Sequence, residues 1–158
     1  MRARLLVAVV LFASQLPASD SSPPRLQWVV RNATTNQSHT FNGTATMNVK
    51  HGTLFHITLN AIDWQGVHEI TLGGHATWNC RSGKLGQQRD AAEKTDVQTL
   101  HPDSSGHMLT RIFLLRNSTA MPCGKGFHFA HGTETLVGTG ENYSHGKRTA
   151  TLTFNVTP

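Results

Sequence analysis

The two runs Phe41-Asn42-Gly43-Thr44-Ala45-Thr46-Met47-Asn48-Val49 and Phe55-His56-Ile57-Thr58-Leu59-Asn60-Ala61 decide the fold. In the first, Phe41, Ala45, Met47 and Val49 alternate with Asn42, Thr44, Thr46 and Asn48; in the second, Phe55, Ile57, Leu59 and Ala61 alternate with His56, Thr58 and Asn60. Successive side chains of a strand point to opposite faces, so each run has one apolar and one wet face. His51-Gly52 between them is a turn signal, which predicts that the two runs pair antiparallel.

Downstream, Asp63-Trp64-Gln65-Gly66 is a second turn signal, with Asp63 as an Asx-type cap, and residues 67–72 and 76–80 read as strands broken by Gly73-Gly74. Ala76, Trp78 and Cys80 share one face. Residues 81–107 are polar and contain Gly83, Gly86, Pro102 and Gly106, which predicts a long mobile connection with a short helix around 90–94. Residues 108–115 are apolar on both faces and predict a central strand. Gly124 and Gly126 lead into Phe127, and a turn cluster at 142–146 precedes a last strand in which Ala150, Leu152, Phe154 and Val156 alternate with threonines and Asn155. Short strands about ten residues apart, with almost no helical periodicity, predict an all-β antiparallel sandwich of about seven or eight strands.

The chain has 158 residues, 37% apolar and 15% charged, with a formal charge of +5. That length suits one domain. Arg2 and Arg4, an apolar run over 5–13, Pro17 and the small residues Ala18 and Ser19 have the layout of a secretory signal cleaved near Ser19. The alternative, an uncleaved anchor, needs a longer apolar run, since a spanning helix takes about 20 residues. Residues 20–25 then form an extended leader and 26–158 the domain. Removing 1–19 leaves 12 basic and 9 acidic side chains, a balance of +3 too dispersed for a nucleic-acid partner. The expected product is secreted, without a stable membrane anchor or a cofactor.

Export makes a Cys80–Cys123 disulfide the expectation, with a free thiol pair or a thiolate ligand as the alternative. Closing that loop stabilises by roughly 4 kcal/mol in the chain-entropy model. Six of nine asparagines lie in N-x-[ST] contexts: Asn32, Asn36, Asn42, Asn117, Asn142 and Asn155. Chance gives roughly two, so N-glycosylation is expected. A threonine-rich bacterial surface protein that never meets a glycosyltransferase is the competing explanation, because strands also favour threonine.

The stretch from Phe55 through Asp63-Trp64-Gln65-Gly66-Val67 to Leu72 resembles the strand, Asp-x-x-Gly-Val turn and strand of immunoglobulin-like modules, and residues 136–156 are similar to their closing hairpin. Antibody-type domains place a tryptophan after the first cysteine and a tyrosine two residues before the second. Here Trp78 precedes Cys80 and Met121 stands at the tyrosine position, so the resemblance is to the broad sandwich superfamily. It implies adhesion or ligand binding.

The ten histidines raise a metal alternative. Gly126-Phe127-His128-Phe129-Ala130-His131-Gly132 resembles the Gly-Phe-His-x-His element of copper-zinc superoxide dismutases. There the two histidines stand two apart on one strand face. Here they stand three apart, which on a regular strand points them to opposite faces. His128 and His131 are the candidate ligands of a copper or zinc site, with His75 or His107 arriving from elsewhere. Cys123-x4-His128 is similar to a blue-copper arrangement but lacks the methionine that follows. No Gly-x-Ser-x-Gly elbow occurs, and the acids do not pair at a spacing suited to hydrolysis. Histidine protonation between about pH 7 and 5 is a further route to regulated binding.

The residues thus point to a non-enzymatic binding or adhesion module with a protein or glycan ligand, Trp64 and the 81–107 connection forming its recognition surface. A histidine-ligated metal protein and a secreted viral or parasite immune modulator are the alternatives. Packing of Trp64 over the sandwich edge is the plainer role for that residue.

Overall fold

The structure, a computed structural model, describes residues 22–83, 87–100 and 107–158. The signal segment 1–19 lies outside them, as do 84–86 and 101–106 of the polar connection. The described residues form eight strands: β1 (Arg25–Asn32), β2 (Ser38–Asn42), β3 (Ala45–Lys50), β4 (Leu54–Ser82), β5 (Gln88–Leu100), β6 (Met108–Ser118), β7 (Phe127–Asn142) and β8 (Lys147–Thr157). Arg25, the last residue of the expected leader, already belongs to β1. Cys80 and Cys123 form the disulfide, with Cα atoms 5.6 Å apart.

β4 organises everything. Over its first half it lies between β1 and β6, and over its second half between β7 and β5. Between these halves Asp63-Trp64-Gln65-Gly66 shifts the register against β6. The buried positions change parity across that shift: Phe55, Ile57, Leu59 and Ala61 before it, Ile70, Leu72, Trp78 and Cys80 after it. The expected turn at 63–66 and the expected break at Gly73-Gly74 are therefore a bend and an irregularity within one 29-residue strand.

The hydrogen-bonded path runs β2-β1-β4-β7-β8-β3, so β2 and β3 stand at its two ends. Only Gly43 and Thr44 separate them in sequence, and three peptide links reach at most about 11 Å. The sheet must curl until its ends almost meet, giving a nearly barrel-shaped layer. Gly43, with φ +76°, makes the crossing. The first alternating run is thus two strands, β2 on β1 and β3 on β8, and neither pairs with 55–61. Since β3 and β8 run parallel, the sheet is mixed, and the uniformly antiparallel sandwich is corrected on this point.

The apolar faces meet inside the curl. Trp28, Leu59 and Leu152 are fully buried, and Phe55 stacks on Phe154 with ring centroids 5.2 Å apart. Two further expectations fail. Residues 90–94 lie within strand β5, not a helix, because β4 offers them a backbone ladder from Ile70 to Arg81. Strand β6 is not central: among the described residues it pairs with β4 alone, leaving Leu109, Ile112 and Leu114 exposed.

Candidate functional site

The bend of β4 is held by a polar network. Asp63 Oδ1 accepts the Gln65 amide at 2.8 Å, the Asx-type contact expected from the sequence. Its Oδ2 accepts from Asn142 Nδ2 at 3.1 Å, and that nitrogen also donates to the Ser22 carbonyl at 2.8 Å. Asn142 Oδ1 accepts the amides of Ser144 and Gly146, while Ser144 Oγ donates to Gln65 Oε1 at 2.7 Å. Gly66 has φ +93°, and a Cβ there would stand 2.9 Å from His107 Cβ. The Tyr143 ring lies between His107 and His68, at centroid distances of 3.8 and 5.2 Å. Trp64 projects from this frame with 71% of its surface exposed. It does not pack over the sheet edge.

A second surface covers the outer face of the β5-β4-β7 region. Cross-strand pairs follow one another along it: Thr71 with Thr139, Gly73 with Val137, His75 with Thr135, Thr77 with Thr133, Asn79 with His131 and Arg81 with His128. Three openings indent this face, of about 670, 500 and 340 Å³. The first two share Thr77 and Ala92, and the last two share His131, so the three adjoin in a row that forms a shallow trough along the face. Lys94 and Val97 of β5 rise along one side, and Asp90 accepts from Asn79 Nδ2 at 2.8 Å. Over the roughly ten residues from Thr71 to Arg81, at about 3.3 Å each, the trough is on the order of 33 Å long.

The histidine expectation is corrected here. Asn79 pairs with His131 and Cys80 with Phe129, so Ala130 is an extra residue without a partner on β4. This bulge changes the strand's parity. His128 and His131 therefore share the outer face and line the same opening beside Arg81 and Pro158. His75 lies farther along the trough, whereas His107 stands at the bend against Tyr143. Among the described residues, no three of the His, Cys, Asp and Glu side chains come together as a metal-holding group.

The sequons occupy different environments. Asn36, Asn42 and Asn155 are exposed, Asn32 and Asn117 are half-buried, and Asn142 is fully buried with its carboxamide engaged as above. Asn32 Oδ1 accepts the amides of Thr34 and Thr35, and Asn117 Nδ2 donates to Glu134 Oε2 at 3.0 Å. Burial raises the Glu134 carboxyl above its usual range and nearby Glu93 adds to this, while the Asn117 hydrogen bond works the other way. Glu141 moves down, through hydrogen bonds from His145 and then Lys147.

The trough residues were missed in sequence because Gly73-Gly74 looks like a strand end. The alternation of Thr71, His75 and Thr77 on one side of it, matched by Thr133, Thr135 and Thr139, was the available signal.

No family model matches the sequence, and no curated protein matches it. Among solved structures the chain is similar to Spo0M, a sporulation control protein from Bacillus subtilis, at 9% identity and a TM-score of 0.39. The match covers 87% of this chain and 50% of that one, so this chain spans half the length of the structure it matches.

Proposed function

We propose that this protein is a secreted, N-glycosylated, non-enzymatic binding module of immunoglobulin-like sandwich type, which receives an extended oligosaccharide in the trough across β5, β4 and β7. The observation that carries the proposal is the series of hydroxyl, imidazole and carboxamide groups paired across β4 and β7, interrupted by the apolar pair of Gly73 and Val137, where Gly73 opens the floor. Such side chains donate and accept, which matches a polyhydroxylated chain lying along a groove. Exposed Trp64 is a separate contact at the bend, where a rigid ring can bury area with little entropy loss. Asn36, Asn42 and Asn155 are the sequons that carry glycans, and the disulfide supports an oxidising compartment.

An oligosaccharide array probed with the secreted protein tests this reading. Binding to a defined set of glycans that falls at least about tenfold in Thr77→Arg, an exposed position in mid-trough, supports it. Failure to bind any glycan, or binding indifferent to Thr77→Arg, defeats it. Trp64→Ala in the same assay decides whether the bend takes part.

The bulge at Ala130 favours a second reading, a copper or zinc site using His128 and His131, because it brings both imidazoles to one cleft. Stoichiometric copper or zinc in tag-free protein, lost in a His128→Ala/His131→Ala variant, would establish that reading. A host-directed immune modulator shares the fold and glycans, and differs only in its partner.

A further inference from the structure

We infer that β6 is a pairing strand for a second copy of this chain, the two β6 strands lying antiparallel about Phe113 and extending the sheet across the dimer. Among the described residues, one side of β6 is bonded to β4 and the other has no strand beside it, so a row of backbone donors and acceptors faces outward. An open edge of this kind is a template for another strand, and monomeric proteins blunt it with charge, shortness, proline or bulges.

The other edges carry such devices, β3 being only six residues long and ending in Lys50. β2 is only five residues long, and its hairpin with β1 holds the sequons Asn32, Asn36 and Asn42. β5 presents Arg89, Asp90, Glu93, Lys94 and Asp96. β6 has eleven residues without proline or glycine; its wet-side positions run Met108, Thr110, Ile112, Leu114 before Arg116, and the inward charge of Arg111 donates to the Val67 carbonyl of its own chain at 2.8 Å. Leu114 is 73% exposed, Leu109 60% and Ile112 51%. Ile112 and Leu114 are neighbours on the wet face and form an exposed apolar pair at this edge, while Leu109 lies on the other face.

The sequence of β6 fits itself. With Phe113 on the two-fold axis, Ile112 stands opposite Leu114 of the second copy and Leu114 opposite its Ile112. Thr110 then meets Arg116, and Arg111 meets Leu115. No arginine faces an arginine, which matters because like charges directly opposed on neighbouring strands destabilise the pair. An isologous two-fold pairing needs this self-complementarity, whereas a foreign strand does not. Asn117 then meets Leu109, its carboxamide held by Glu134 of its own chain at 3.0 Å.

Sedimentation equilibrium of the secreted protein tests the proposal. A dimer is expected at micromolar concentration, and Leu114→Lys, at an exposed position that leaves the core intact, is expected to weaken it by at least about tenfold. An Ile112→Cys/Leu114→Cys variant is expected to form a covalent dimer on mild oxidation, as the register requires. Thermal unfolding of Leu114→Lys matching that of wild-type protein diluted far below the dimer range checks that folding is unaffected. A wild-type protein that stays monomeric to about 100 μM, or a dimer indifferent to Leu114→Lys, overturns the proposal. So does β6 being taken by a strand of a different protein while self-association is absent.

Discussion

Asn142 shows how a motif and a structural need can compete for the same atom. Its carboxamide nitrogen meets Ser22 and Asp63, its oxygen meets two amides of the closing turn, and no surface is left to water. A glycan on that nitrogen has no path out of the fold, so peptide mapping of protein secreted from a eukaryotic host is expected to find Asn142 bare while Asn36 is occupied. Asn142→Ala leaves the Asp63 carboxylate and two amides without their partner, and a loss of about 3 kcal/mol in urea unfolding is expected. Glu134 behaves differently because burial holds its carboxyl above the ordinary value of 4.5. The unfolded chain then releases that proton more readily than the fold does, so this group's contribution is unperturbed at low pH and turns destabilising as pH rises past 4.5. Glu134→Gln retains an acceptor for Asn117 and removes the charge. Its melting temperature is expected to equal that of the wild type near about pH 4 and to exceed it by about pH 7, a gap readable by calorimetry at the two values.

At the scale of the strand, legibility depended on whether one face was wet. β1, β8 and the first half of β4 alternate cleanly because their inner side chains enter the core and their outer ones meet water. β5 shows no such pattern: it is an edge with most of its residues exposed, so its charges read as loop. Alternation also continues straight through Gly43, hiding a positive φ that sends β2 and β3 to opposite ends of the path. The candidate trough was hidden in the same way, since the extra residue at Ala130 brings His128 and His131 onto one face without any mark in the spacing. β7 supplies the element-scale test. Gly138 lies beneath the core face of β1 and β4, where an added methyl would overlap Leu59 Cδ2 and stand 3.2 Å from the Trp28 ring. Gly138→Ala is expected to cost about 3 kcal/mol by forcing those two side chains apart. Gly83→Ala, where nothing lies within 4 Å of the new carbon, is expected to be close to neutral.

The whole molecule depends on how residues 119–126 carry the chain from β6, on the first half of β4, to β7, on the second. That crossing is fastened several times over. Thr119 Oγ1 donates to the Lys50 carbonyl at 2.8 Å and accepts the Thr53 amide at 2.9 Å. The Met121 amide donates to His51 Nε2 at 2.9 Å, the His51 ring stacks on Phe129, and Trp78 Nε1 donates to the Pro122 carbonyl at 2.9 Å. The disulfide between Cys80 and Cys123 joins the same crossing to the far half of β4, across a sequence separation of 43. Its removal releases loop entropy in the unfolded chain worth roughly 4 kcal/mol, but the hydrogen bonds on Thr119, Met121 and Trp78 remain to place the segment. A Cys80→Ala/Cys123→Ala variant is therefore expected to keep the strand signature of the wild type in far-ultraviolet circular dichroism at low temperature. Its urea midpoint is expected to fall by an amount equivalent to about 3–4 kcal/mol, a large share of the roughly 5–15 kcal/mol that holds an ordinary domain folded. A variant that loses the strand signature outright would show that the crossing is set by the covalent bond, and that the contacts of Thr119, Met121 and Trp78 follow from it.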